Sequence, residues 1–204
     1  MSTTPDSDPT TTAAPPAVTT IPRVGIAVLI FGRANQVLLG ERKGSHGAGT
    51  WALPGGHLEP GETWAACAAR EVLEETNLAV SGLRFLTATN DVMAAENKHY
   101  ITIYLGCTPT RREDCRAPPP VMEPNKCREW RWVEWEEVTR WYRLQDEAEK
   151  LAATDFTARN SAGNPARLGL EHPLFLPLMN LFRQQQYWLP LQEYQLLTGW
   201  EEDR

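Results

Sequence analysis

The sequence predicts an α+β sandwich. Three observations carry that reading: several short β-rich runs bounded by Gly, Pro and Asn, a few amphipathic segments of helical period, and no regular alternation of strand and helix along the chain. The chain has 204 residues, 42% of them hydrophobic, and eight tryptophans, so one domain of ordinary size can bury a core.

Residues 1–20, "MSTTPDSDPTTTAAPPAVTT", have neither the basic start nor the apolar core of a targeting peptide. They bury too little apolar surface to offset the entropy of ordering, and a disordered tail is expected there, with one domain over 21–204. "RVGIAVLIF" (Arg23 to Phe31) and "QVLLGER" (Gln36 to Arg42) flank the polar turn "GRAN" and read as a hairpin. "KGSHGAGT" is a Gly-rich loop, and "WALP" a short strand before a Gly/Pro-rich loop. Thr63 is an N-cap for a helix over Trp64 to Thr76. On that helix Ala65, Ala69, Val72 and Leu73 form the expected sheet-facing side, with Arg70, Glu71, Glu74 and Glu75 opposite.

"LRFLTATNDV" and "HYITIYLGCT" read as strands, the second alternating Tyr100, Thr102 and Tyr104 with Ile101, Ile103 and Leu105. "REDCRAPPPVMEPNK" is a loop on account of its triple proline, "EWRWVEW" a strand, and "EEVTRWYRL" the opening of a helix. Residues 145–171 are polar and irregular and suggest an inserted surface segment. "HPLFLPLMNLFRQQQYW" has helical spacing through Leu174, Leu178 and Leu181, with Pro177 expected to interrupt its first turns.

Net charge of −6 and a pI near 5.3 give no electrostatic ground for binding a nucleic-acid duplex. No apolar run reaches the ~20 residues that span a bilayer. The four cysteines (Cys67, Cys107, Cys115 and Cys127) lack CxxC or CxxH spacing and read as reduced structural thiols of a cytoplasmic protein. "GSHGAG" lacks the Lys of a Walker loop. Trp130, Trp132 and Trp135 read as core aromatics of a strand, with base stacking by one of them as the alternative.

The acidic helix "GGHLEPGETWAACAAREVLEETNL" raises the chemical question. Glu71 and Glu75 are an i,i+4 pair, which costs about 0.2–0.5 kcal/mol by repulsion. Their position in the last turn opposes the helix dipole, by a further ~0.3–1 kcal/mol at exposed sites. Arg70 offsets only part of three anions. A solvated acidic face is one reading; a hard divalent cation that prefers oxygen ligands, waters and phosphates is the better one.

The same stretch resembles the Nudix box, Gly-x5-Glu-x7-Arg-Glu-U-x-Glu-Glu-x-Gly-U with U aliphatic. Gly56, Glu62, Arg70, Glu71, Val72, Glu74, Glu75 and Leu78 occupy its fixed positions; Asn77 replaces its last glycine, as a left-handed C-cap tolerates. "LLGERKGSHGAGTWALPGGHLEPGETW", "HYITIYL" and "EPNKCREWRWVEWEEV" resemble the MutT-like branch of the Nudix hydrolases. The resemblance implies an α/β/α sandwich around a mixed sheet, and Mg²⁺-dependent (or Mn²⁺-dependent) hydrolysis of a nucleoside diphosphate linked to a further group. It implies Glu71 and Glu75 as principal metal ligands, Glu74 supporting, the Gly56 carbonyl as a backbone ligand, and Arg70 with Glu62 as orienting groups. Glu123 resembles a later glutamate used for metal binding or as general base.

Arg42 is a candidate phosphate ligand, Lys43 a weaker one, and His57 is either structural or a substrate contact. The resemblance to that branch implies a base pocket at Leu53, Thr102, Pro177 and Leu178, although Pro177 stands where the similar sequence has a glycine. The expected substrate is a small nucleotide: a (deoxy)nucleoside triphosphate cleaved to monophosphate and pyrophosphate, with sanitising of modified nucleotides as a role. NADH, a dinucleoside polyphosphate, a nucleotide sugar or an mRNA cap are alternatives, and a non-catalytic nucleotide-binding module a further one. The resemblance also raises a homodimer.

Overall fold

The computed structural model describes residues 18–44, 46–154 and 169–201. Most of the expected tail lies outside these residues; at its end the Thr19 N–H donates to Asn97 Oδ1 (3.0 Å) and Thr20 Oγ1 to the Asn97 carbonyl (3.1 Å). In chain order the strands are β1 (Arg23–Ile30), β2 (Gln36–Arg42), β3 (Trp51–Ala52), β4 (Gly55–His57), β5 (Val80–Met93), β6 (Lys98–Pro109) and β7 (Cys127–Glu134). The helices are α1 (Trp64–Thr76), α2 (Trp135–Thr154), α3 (Leu176–Gln184) and α4 (Pro190–Thr198).

A mixed four-stranded sheet has the order β4-β1-β6-β5, with β1 parallel to β6 and the other pairs antiparallel. A second, antiparallel sheet has the order β3-β2-β7. Strand β1 is apolar on both faces because both are covered. Ile26, Val28 and Ile30 pack with Cys67, Ala68 and Val72 of α1, while Leu29 joins Trp135, Val138 and Trp141 of α2 and Leu178, Met179 and Leu181 of α3. The layers are therefore helix, sheet, helix.

Five expectations change. The β1–β2 hairpin is a turn only: Phe31 bridges Val37, then the strands part into different sheets. Strand β1 already has partners on both edges, parallel β6 and antiparallel β4, so β2 must find β7. The loop before α1 contains a strand, β4, paired through Gly25 to Ala27.

Helix α1 has the expected ends. Thr63 Oγ1 accepts from the Ala66 N–H (3.1 Å), and Asn77 is left-handed with its N–H on the Leu73 carbonyl (2.9 Å). Its buried side is rotated from expectation: Cys67, Ala68, Val72 and Thr76 are inside, while Leu73 is half exposed. The reason is local. The β4 loop, and not only the sheet, packs on α1, so the helix turns its small residues inward and brings Glu71 and Glu75 onto the flank facing that loop.

Residues 145–154 continue α2 instead of opening an irregular segment; 155–168 lie outside the described residues. Gln145 is buried because its amide brackets Leu174: Oε1 accepts the Leu174 N–H (2.6 Å) and Nε2 donates to the Leu174 carbonyl (3.3 Å). Pro177 starts α3 rather than interrupting it, since first-turn N–H groups have no partner inside a helix. Backbone bonds from Trp51 to Pro173 (2.7 Å) and from Phe175 to Trp51 (2.9 Å) tie the run before α3 to β3. Among the described residues no helix is long and apolar enough to cross a membrane.

Candidate active site

Glu71 and Glu75 meet the β4 backbone at one end of a cleft of about 610 Å³. Strand β4 comes close because residue 55 is a glycine: its φ is +146°, and a Cβ there would overlap the Ile26 carbonyl. Its N–H donates to Glu75 Oε2 (3.0 Å). Gly56 stands against Glu71 in the same way, since a Cβ on it would overlap the Glu71 carboxylate. Two glycines thus let the backbone lie directly on two carboxylates.

Arg70 organises the row behind. Its Nε and Nη2 clasp Glu62 (2.8 and 3.0 Å), its Nη1 reaches Glu71 Oε1 (2.8 Å), and Nη2 donates to the His57 carbonyl (3.2 Å). The guanidinium's hydrogen bonds hold the Glu62 carboxyl down at about 2. Glu75 moves the opposite way, up to about 7: burial dominates, and Glu71 and Glu123 add like charge that the Gly55 N–H only partly relieves. An unbalanced acid cluster of this kind has oxygen donors only (Glu71, Glu75, Glu123 and the Gly56 carbonyl), the set that suits Mg²⁺ or Mn²⁺. Among the described residues these side chains do not close into a three-carboxylate cage, since Arg70 and Gly55 hold two of the oxygens.

Glu123 is brought to α1 by the backbone. The Met122 N–H donates to the Glu75 carbonyl (3.2 Å), and Lys126 Nζ lies 2.7 Å from Glu123 Oε1. Glu74 does not line the cleft: its side chain is 56% exposed and touches the site only through Arg70 at 3.5 Å. It stands one helical step round from Glu75, away from the loop that draws Glu71 and Glu75 inward.

Across the cleft, Arg42 is largely buried, which lowers its pKa. Its guanidinium lies 4.2 Å over the Phe175 ring, and its Nε donates to the His46 carbonyl (3.2 Å). Lys43 Nζ is held by the Pro124 carbonyl (2.6 Å). The remaining wall is more apolar, with Leu53, Tyr104, Trp130, Pro177 and Leu178. Trp130 of β7 is a core residue as expected and also faces the cleft; Trp135 is in the core but opens α2 instead of closing the strand, and Trp132 is only partly buried, its Nε1 donating to the Ala117 carbonyl (3.1 Å). His57 Nε2 pairs with the Tyr100 hydroxyl (3.2 Å). None of the four cysteines is in a disulfide, and burial pushes the Cys67 thiol up to about 12 and Cys127 to about 11, which disfavours the thiolate at both.

Of the sequence candidates, Arg42, Leu53, Gly56, Glu71, Glu75, Thr102, Glu123, Pro177 and Leu178 line one cleft; Glu62, Arg70 and Glu74 do not. Thr102 is in place, but its hydroxyl donates to Asp91 and is not a donor toward the cleft. Sequence reasoning missed Phe175 beneath Arg42 and Asp91 behind Thr102. The signal for Asp91 was present: an aspartate inside a β-rich run is unusual and needs a partner.

The NUDIX domain profile matches residues 21–154. The RNA pyrophosphohydrolase of Serratia proteamaculans (strain 568) is 26% identical over 137 residues, covering 59% of this chain and 71% of that protein. A crystal structure of a MutT NUDIX hydrolase from Burkholderia pseudomallei is similar with a TM-score of 0.52 at 27% identity, over 57% of this chain and 86% of that one. A NUDIX hydrolase from Nitrosomonas europaea shares the fold with a TM-score of 0.50 at 21% identity, over 76% of this chain and 94% of its own.

Proposed function

The chain belongs to the NUDIX domain family, and from that premise we propose that it hydrolyses nucleoside triphosphates to monophosphate and pyrophosphate with Mg²⁺ or Mn²⁺. The carrying observation is the polarity of one cleft. At one end Glu71 and Glu75 lie beneath the Gly55–Gly56 backbone, Arg42 faces them, and an apolar wall of a size for a base completes the space.

Glu71, Glu75 and the Gly56 carbonyl would hold the cation, with Glu123 beside them and Glu74 in reserve on the outer face. When bound, it screens phosphate charge and makes water a better nucleophile near neutral pH. The chain's own groups do the rest. Arg70 fixes Glu71 and Glu62 in one plane of hydrogen bonds, so the carboxylates need not reorganise as charge develops. Arg42, kept rigid over Phe175, offers its guanidinium to a non-bridging phosphate oxygen. Glu123 would accept the proton of the attacking water. The water oxygen bonds to the α-phosphorus, the bond from that phosphorus to the α–β bridging oxygen breaks, and that oxygen keeps the electron pair and leaves with the pyrophosphate.

The relative's name, RNA pyrophosphohydrolase, raises RNA as a second substrate. A net charge of −6 argues against a long polyanion, because binding one draws on cations that neutralise phosphates. The test is a panel of free nucleotides and a 5′-triphosphorylated RNA with Mg²⁺, products separated early in the reaction. Monophosphate plus pyrophosphate from free nucleotides is expected. Faster release from RNA would reassign the substrate, and no turnover on either would remove the catalytic reading.

A further inference from the structure

Asp91 is fully buried inside β5, a costly place for a carboxylate unless hydrogen bonds satisfy it. Its hydrogen bonds come from neutral donors: Thr89 Oγ1 (2.9 Å) and Thr102 Oγ1 on one oxygen, and Asn180 Nδ2 (2.9 Å) on the other. A carboxylate accepts and does not donate, so the single proton of the Thr102 hydroxyl points at Asp91. What Thr102 turns toward the cleft is an oxygen with lone pairs only.

On the neighbouring strand β1 no side chain covers that oxygen. Gly25 is the register partner of Thr102 on the neighbouring strand, and a Cβ built on Gly25 would stand 3.9 Å from Thr102 Oγ1. Both residues line the cleft. The Tyr104 hydroxyl is likewise committed, donating to the Pro177 carbonyl (2.7 Å). Asn180 belongs to α3, whose first turn supplies Pro177 and Leu178 to the same wall, so one carboxylate fixes both the hydroxyl and the helix beside it.

We infer that Asp91 is a positioning residue that makes Thr102 an acceptor-only contact, and that the cleft thereby selects nucleobases presenting an N–H donor at that point. This rests on the reading of the apolar wall as a base site. An acceptor facing an N–H gains a hydrogen bond, whereas an acceptor facing a C–H or a carbonyl leaves a desolvated oxygen without a partner.

The experiment uses nucleotide pairs that differ by one N–H donor: adenosine against its 6-deamino analogue, guanosine against inosine, and uridine against 3-methyluridine. The full chain is assayed as triphosphates for kcat/KM with Mg²⁺. Dissociation constants of the monophosphates are measured by calorimetry in chelator, which needs no turnover. In at least one pair the wild type should favour the donor-bearing member by roughly tenfold. Thr102→Val should bring that ratio close to one, and Thr102→Ser should keep it. Asp91→Ala should lower it by freeing the hydroxyl to rotate; if that variant does not fold, the Val and Ser pair still decides. A ratio unmoved by Thr102→Val, or no donor preference in any pair, overturns the inference while hydrolysis stands. Donor-dependent binding that vanishes in Thr102→Val, with no triphosphate cleaved, supports the inference and removes the hydrolysis reading instead.

Discussion

The two ends of the cleft are built in opposite ways. The paired carboxylates of the acid end come from one contiguous stretch, Gly55 to Glu75, in which a two-glycine strand is laid on its own following helix, and Glu123 joins them from a later loop. The apolar end is assembled from distant parts of the chain: Leu53, Thr102 and Pro177 meet there, and the bond that braces it joins Asp91 to Asn180 across 89 positions. On the proposed reading, the contiguous unit supplies the principal cation ligands, while the distant elements tune what reacts there. Changes at the first end should cost turnover for every substrate; changes at the second should re-rank substrates.

The largest effect is expected at Glu75. Glu75→Gln keeps an oxygen for the Gly55 N–H, so the fold should survive, yet kcat should fall by more than ~100-fold for every nucleotide. Thermal melting checks the distinction: Mg²⁺ with a nucleotide should raise the Tm of the wild type and leave that of the variant nearly unchanged. Gly56→Ala should approach the same loss in turnover by displacing Glu71, and should also destabilise the fold by about 1–3 kcal/mol in denaturant titrations.

Arg42→Lys ranks next. A lysine cannot repeat the planar contact over Phe175 with a bidentate face left for phosphate, so KM should rise about 10-fold with little change in kcat. Pro177→Gly should act at the other end of the cleft, shifting the ratio of kcat/KM among purine and pyrimidine triphosphates by less than ~10-fold. A uniform loss across bases would mean destabilisation only, and would take α3 out of base selection. The smallest effect belongs to the cap: Asn77→Ala should cost about 1 kcal/mol of stability by equilibrium unfolding and leave base ratios untouched, because it strains a left-handed residue.

The legibility of the sequence follows the same division. Thr63, the α1 boundaries and Asn77 could be read from local chemistry, because capping and backbone handedness depend on neighbours within a turn. The buried side of α1 could not, since it is set by a loop that folds back onto the helix; Glu71 and Glu75 therefore lie inward where periodicity put them outward. The departure of β2 from β1 depends on β6 taking the free edge of β1, a partner 77 residues away in register that no turn signal announces. Position 102 was readable as a wall residue, but the direction of its hydroxyl depends on Asp91, which only the paired strands bring alongside. Pro177 misled for a simpler reason: a proline that breaks a helix in its middle is well placed in its first turn.

The central claim, that Glu71 and Glu75 beneath Gly55 and Gly56 form a cation-dependent site for cleaving a nucleotide diphosphate bond, is tested most directly by one time course. Wild-type protein and Glu75→Gln are incubated with a nucleoside triphosphate and Mg²⁺, and early products are separated by chromatography. The wild type should release monophosphate and pyrophosphate in equal amounts, chelator should stop it, and the variant should release almost none. Nucleoside diphosphate with orthophosphate, or wild-type rates from Glu75→Gln, would contradict the account.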